Sequence, residues 1–213
     1  MRYDLHVHTQ YSRDCAVPPL DMARHLKKQG FDGMAITDHD SAAGALKSYD
    51  LPGFLVIPGI EISTTRGHLL GLGITADITS SDPSTAIERI HDQGGIAIVP
   101  HPFRHSSPSI ASIDDLDVDA VETFNGRSFP RQNRQAAALA SHHGLPATGG
   151  SDAHQLREAG SGYTIAEAET VDDLLACITA GQTRADGTTS LGRPLRSMAG
   201  TFRRFVTRGF RRV

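Results

Sequence analysis

The sequence predicts an α/β fold built on a largely parallel sheet or barrel, and three observations support that expectation. Strand-like runs alternate with helix-period runs through most of the 213 residues. The chain is long enough to bury one sizeable core without disulfides. Side chains able to bind cations recur where the strand-like runs end, at the rim on which parallel α/β folds assemble their sites.

The elements follow in order. Residues 3–8 form a strand in which DLHVHT sets His6 and His8 on one face, because alternate side chains of an extended chain point the same way. A hydrophobic core has no use for that pair; a metal ion does. Leu20, Met22, Ala23 and Leu26 recur at helical spacing, so residues 19–29 form a helix that stops at Gly30. Residues 31–37 are a second strand, ending at TDHD, and residues 41–48 a short helix. FLVIPGIEI, residues 54–62, is a strand interrupted at Pro58-Gly59, and the glycine-spaced strand over 68–74 is its candidate partner. Asp82 caps a helix over 82–93, with Pro83 in its first turn and Gly94-Gly95 at its end. A buried-type strand over 95–99 leads into P-H-P. Residues 120–124, 131–143 and 145–149 read as strand, helix and strand, the last running into GSDAH. A strand over 163–165 and a helix over 171–180 close the body. The chain has no internal repeat of fixed period.

Apolar residues make up 38% of the chain and charged residues 21%, ordinary values for a globular protein. No run of about 18 apolar residues occurs, so no membrane span is expected. The polar start argues against a leader peptide, and a cytoplasmic location is the expectation. Cys15 and Cys177 stand in no metal or redox spacing and read as idle thiols. Charge is divided unevenly. From Thr188 onward seven arginines stand with no acid, and the remaining 14 basic residues face 24 acidic ones, a body of −10. In the same segment Met198, Phe202, Phe205, Val206, Phe210 and Val213 make a helical apolar stripe. The expected division is therefore a barrel over 1–187 and a basic amphipathic tail over 188–213. Such a tail docks on an acidic surface of its own or a neighbouring subunit, or contacts nucleic acid or a membrane surface.

The 11 histidines are the informative excess, since neutral imidazole is the commonest metal ligand. His6/His8, Asp38/His39, Glu61, His101, Glu122 and Asp152/His154 all come at the ends of proposed strands. A lone histidine is more often a satisfied core or surface residue. Six strand ends acquiring such groups by accident is the harder reading, because burying them unpaired would cost several kcal/mol each. Coordination removes the conflict. Histidine and carboxylate donors without cysteine suit Zn, Mn or Fe in a catalytic site. The candidates are His6, His8, Asp14, His39, Glu61, His68, His101, Asp152 and His154. They are too many for one ion and enough for two or three at about 3.5–4 Å spacing. Such a cluster activates water and neutralises charge developing on a phosphoryl oxygen, so phosphoester hydrolysis benefits most. His25, His91, His105, His142 and His143 lie away from strand ends and are left out.

Taken in order, DLHVHT, TDHD, PGIEI, GHLLGLG, PHP and GSDAH resemble the PHP (polymerase and histidinol phosphatase) family in its short, single-domain form, across residues 4–154. The resemblance implies a distorted (β/α)7 barrel with a trinuclear metal site at the C-terminal ends of the strands. It implies that His6, His8, Glu61 and Asp152 hold a first ion, and that Glu61 bridges to a second held also by His68 and His101. Asp14, His39 and His154 would hold a third. It further implies a metal-dependent phosphoesterase acting through a metal-activated water. The substrate would be a nucleotide, an oligonucleotide end or a small phosphorylated metabolite.

Asp38, beside His39, and Arg104, just after PHP, are the candidate catalytic groups: Asp38 by orienting a ligand imidazole or the substrate, Arg104 by receiving its phosphate. Arg127 and Arg131 are candidate substrate-binding residues, with Asn125 nearby. Asp4 is placed to orient a ligand in the same manner as Asp38. Glu122 also ends a strand, but the ligand count is filled without it. Two other readings stand beside the phosphoesterase. A non-catalytic PHP scaffold or regulatory domain is disfavoured because no ligand is missing. An amidohydrolase-like C–N hydrolase is disfavoured because Lys27, Lys28 and Lys47, the only lysines, end no strand.

Overall fold

The structure, a computed structural model, describes residues 1–188. Apart from Thr188, the basic tail expected over 188–213 lies outside the described residues. The strands are β1 (Arg2–Val7), β2 (Gly33–Ile36), β3 (Leu55–Thr64), β4 (Gly67–Leu72), β5 (Ile96–Val99), β6 (Ala120–Asn125), β7 (Ala147–Gly150), β8 (Gly162–Ile165) and β9 (Arg184–Gly187). The α-helices are α1 (Pro19–Lys28), α2 (Pro83–His91), α3 (Pro130–His143) and α4 (Val171–Thr179). No helix among the described residues is long and apolar enough to cross a membrane.

The nine strands form one sheet in the order β7-β6-β5-β4-β3-β2-β1-β8-β9. β1, β2 and β3 run parallel, as do β5, β6 and β7, while β4 lies antiparallel between β3 and β5. β8 and β9 add two further antiparallel pairings beyond β1. The sheet curls until its ends nearly meet. Asp152 N donates to His6 O at 2.7 Å, His8 N to Ala153 O at 2.9 Å, and Gly149 N to the Thr164 hydroxyl at 2.8 Å. The chain thus forms the expected α/β barrel, but with nine strands in place of seven regular β/α units. β4 returns by a tight hairpin with no intervening helix, and β8 and β9 close the wall as antiparallel strands.

Two local expectations differ. Residues 41–48 form only a turn, with Leu46 N on Ala42 O at 2.9 Å. Gly44, a weak helix former, sits there beneath the Tyr11 ring. β9 carries no strand signal because its four residues, RADG, include no β-branched or aromatic side chain, and its partner β8 holds it in place.

Helix ends obey local chemistry. Asp82 accepts from Thr85 N at 2.8 Å to cap α2, Thr170 and Asp173 cap α4 reciprocally, and α3 stops at Gly144 with φ 66°. Along β1, Tyr3, Leu5 and Val7 enter the apolar clusters, while Asp4, His6 and His8 on the other face are buried among polar groups. That alternation aims the histidines at the barrel interior.

The closure leaves no room for a side chain at the end of β7. A Cβ on Gly150 would stand 2.4 Å from His6 Cβ and 2.8 Å from Glu122 Oε1. Gly150→Ala is expected to destabilise the protein by about 1–3 kcal/mol through overpacking. Urea unfolding checks this, and an unchanged midpoint would show that β1 and β7 can separate at no cost.

Candidate metal centre

The strand ends bring all nine sequence candidates together. Glu61, from β3, lies at the middle. Its Oε1 is 2.7 Å from His68 Nδ1 on β4 and 3.1 Å from His101 Nε2 after β5. Its Oε2 is 3.2 Å from His8 Nε2, 3.1 Å from His39 Nδ1 after β2, and 3.5 Å from His6 Nε2. Asp152, after β7, places Oδ1 3.5 Å from both His8 Nε2 and His154 Nδ1, and Oδ2 4.0 Å from His101 Nε2. Asp14, on the loop after β1, meets His154 Nε2 at 2.7 Å and His39 Nε2 at 3.9 Å.

By distance these residues form four overlapping groups, in each of which the donor atoms lie within 4.8 Å of one another: His8/Asp14/His39/His154, His6/His8/Glu61, His6/His101/Asp152 and His39/Glu61/His68. They can hold metal ions. The grouping cuts across the expected three-way division, because His8 joins the Asp14 group and His39 joins Glu61 and His68.

A separate observation shows that the donor set suits cations. The outward ring nitrogens are already engaged: His6 Nδ1 by Glu122 Oε1 at 3.1 Å, His8 Nδ1 by Ser12 Oγ at 3.0 Å, and His101 Nδ1 by Ser109 Oγ at 3.4 Å. Each of these rings therefore turns Nε2 inward, as imidazole ligands fixed from behind do. His6 Nε2 and His8 Nε2 stand 3.3 Å apart, a separation at which two lone pairs repel unless a proton or cation lies between them.

The electrostatics match. Burial works against charge on His6 and His8, yet the surrounding carboxylates outweigh it. Glu122, Asp152 and Glu61 lift His6 well above its ordinary value, and Asp152 with Glu61 lifts His8 to about 9. Burial, aided by the Arg104 cation, depresses His101 to about 3, and burial with His8 and Arg127 does the same to His154. Burial opposes ionisation of Glu61, but His68, His39 and His6 hold it well below the usual carboxylate range. Asp152 is held down likewise, against burial, by Arg104, Arg127 and His6. The buried carboxylates thus favour positive charge beside them.

The remaining candidates fall in different places. Arg104 and Arg127 lie at one edge, each with NH1 on Asp152; the Arg127 contact to Oδ1 is 3.0 Å. Asn125 links them, accepting from Arg104 NH1 at 3.2 Å and from Arg127 N at 2.9 Å. Arg131 is exposed in the first turn of α3, and no hydrogen bond joins it to the cluster among the described residues. Asp38 does not reach an imidazole. Its two oxygens accept from Thr9 N at 2.5 Å and Thr9 Oγ1 at 2.6 Å, so it braces the segment following His8. Asp4 accepts from Ser151 N and Gly160 N, both at 2.8 Å, and from His6 N at 3.4 Å, tying backbone rather than a ring. Ser12, absent from the sequence candidates, contacts His8 Nδ1 and accepts from His39 N at 2.9 Å. A loop serine carries no signal of such a role.

Comparison with known proteins places this geometry. Residues 4–81 match the PHP domain family and residues 130–183 the PHP-associated family. The chain is 38% identical over 140 residues to an uncharacterised protein of Methanocaldococcus jannaschii, covering 59% of this chain and 82% of that one. This chain belongs to the PHP domain family. It is also 37% identical over 76 residues to the 5'-3' exoribonuclease Rnm of Escherichia coli, covering 33% of this PHP chain but only 26% of Rnm. Among solved structures, the barrel resembles a two-domain Bacteroides vulgatus protein described as containing a PHP-like metal-dependent phosphoesterase. The TM-score is 0.67 at 17% identity, over 93% of this chain and 69% of that one. It also resembles a lesion-specific endonuclease of Pyrococcus furiosus, with TM-score 0.64 at 16% identity over 87% and 58%. At those identities the structures share the PHP fold alone.

The Asp38–Thr9 brace yields a test. Thr9→Val keeps the shape but leaves the buried Asp38 Oδ2 without its hydroxyl partner. The expected loss is about 1–3 kcal/mol in chemical denaturation. A wild-type midpoint would mean that Asp38 does not rely on that bond.

Proposed function

We propose that this PHP protein is a metal-dependent phosphoesterase. The supporting observation is the convergence of six imidazoles and three carboxylates at one barrel rim, directly beside the buried Arg104 and half-buried Arg127 guanidiniums. The expected sets would be kept with two rings shared: His6, His8, Glu61 and Asp152 for one ion, Glu61, His68 and His101 with His39 for a second, and Asp14, His39 and His154 with His8 for a third. Zn, Mn and Fe suit these donors. Such ions supply Lewis acidity toward a phosphoryl oxygen and lower the pKa of water.

The chain's own residues do the rest. Nε2 of His6, His8 and His101 is aimed inward by the outer hydrogen bonds, so the donors are set in place before any ion arrives. Arg104 and Arg127 offer planar donors suited to non-bridging phosphate oxygens and neutralise charge that develops there. Burial of the cluster keeps bulk water from competing for these contacts. Hydrolysis joins a water oxygen to phosphorus as the ester P–O bond breaks, and a proton passes to the departing alcohol.

The similarity to an exoribonuclease and to a lesion-specific endonuclease makes nucleotides and oligonucleotide ends the first substrates to examine, before small phosphorylated metabolites. A scaffold role is disfavoured because none of the nine donors is missing or turned away. C–N hydrolysis is disfavoured because Lys27 bonds Pro52 O and Lys47 bonds the Tyr11 hydroxyl, so neither bridges the cluster.

Protein purified without chelators is expected to carry divalent metal and to release inorganic phosphate from a monoester, or a nucleotide from an oligonucleotide end, among these substrates. Chelation should stop the reaction and added Mn or Zn restore it. His101→Ala should abolish turnover with its circular dichroism unchanged. A metal-loaded protein inert toward every substrate class would sink the phosphoesterase reading, and full activity in His101→Ala would remove that residue from the site.

A further inference from the structure

Glu122 is buried, 1% exposed, and its two oxygens serve different strands. Oε1 meets His6 Nδ1 at 3.1 Å, reaching β1. Oε2 accepts from His101 N at 2.9 Å and from Asn125 Nδ2 at 2.9 Å. His101 needs that support, because its φ of 32° lies in a region that side chains other than glycine rarely adopt. One carboxylate therefore fixes two inward-facing rings, one of them by its side chain and the other by its backbone.

We infer that Glu122 is a positioning residue for the metal centre, holding His6 in the tautomer with the proton on Nδ1 and His101 in its strained backbone conformation. The reason is the donor count. A carboxylate accepts at both oxygens and has no proton to give. His6 must then donate from Nδ1, which makes Nε2, facing His8 Nε2 and Glu61, the atom available to a cation. The inference rests on the proposed metal centre but not on the phosphoesterase reaction.

Glu122→Gln separates this role from mere packing, because the substitution keeps the shape and changes one acceptor into a donor. If the amide oxygen stays with His101 N and Asn125, the new NH2 faces His6 Nδ1. The ring proton must then move to Nε2, the atom a cation needs. If the amide turns round, its NH2 meets two other N–H donors and His101 loses its support. Either way the centre is damaged while the barrel keeps its shape.

The test is metal titration without substrate, following zinc by calorimetry and cobalt(II) by its visible absorption. Glu122→Gln is expected to weaken uptake by about 10–100-fold, the usual effect of removing a partner behind a ligand, with an altered cobalt spectrum. Unchanged affinity and spectrum in the folded variant would overturn the inference. A second measurement needs no variant. In the zinc-loaded wild type, nitrogen-15 spectra should show His6 protonated at Nδ1 and metallated at Nε2; metal on Nδ1 overturns it. Wild type that binds metal but hydrolyses nothing would remove the phosphoesterase reading and leave this one standing. Wild type that binds no metal removes both.

Discussion

The arrangement depends on one buried carboxylate. Glu61 is 1% exposed and lies within 3.5 Å of five imidazoles carried by or following four different strands. A charge in that position is tolerable only if matched, and leaving it unmatched would cost several kcal/mol. The strand ends of the barrel therefore converge on a shared electrostatic requirement as well as on an apolar core. Moving any one strand end would strand a ring or a carboxylate away from water. Any cation held there would therefore also hold the strand ends together.

Around this centre lies a ring of groups that contact the donors from behind. Ser12 joins the His8 ring to the backbone of His39, Asp38 ties Thr9 to the end of β2, and Asp4 ties β1 to the chain after β7. Backbone strain lies among the donors and beside them. His101 and Asp152, and Asp40 next to His39, have positive φ, at a cost of about 1–3 kcal/mol each. The His101 N–H donates to Glu122 Oε2 and the Asp152 N–H to His6 O, which holds these two in place. The strain sits where donors must be aimed, not in the apolar layer.

The sequence made the nine donors legible because residue type and strand-end position are both readable from one chain. His6 and His8 are aimed by a period of two, and the others by the rule that parallel sheets build at one rim. What was not legible is what loops decide. Arg127 and Arg131 both follow β6 and are chemically alike. Pro130 starts α3 between them, leaving Arg127 on the loop beside Asp152 and Arg131 on an exposed helical turn. Asp38 stands next to a donor in sequence, yet alternation turns it the other way, onto Thr9. The short return over RADG became β9 through its partner rather than its own composition. These are matters of tertiary context, which local pattern does not carry.

The sign of the site follows from the same inventory. Glu61, Glu122, Asp152 and Asp14 share the rim with the guanidiniums of Arg104 and Arg127, so among these described residues, with neutral rings, negative charge is in excess. An anionic substrate approaching that rim would be repelled, and the two guanidiniums would already be engaged by Asp152. Divalent cations held by the nine donors would reverse both conditions. They would turn the local field positive and compete with the arginines for Asp152, which has other lone pairs to share. A guanidinium relieved of part of its carboxylate partner becomes a better donor to a phosphate oxygen. Metal occupancy would therefore precede anion binding, because the charge balance of the rim permits the second only after the first.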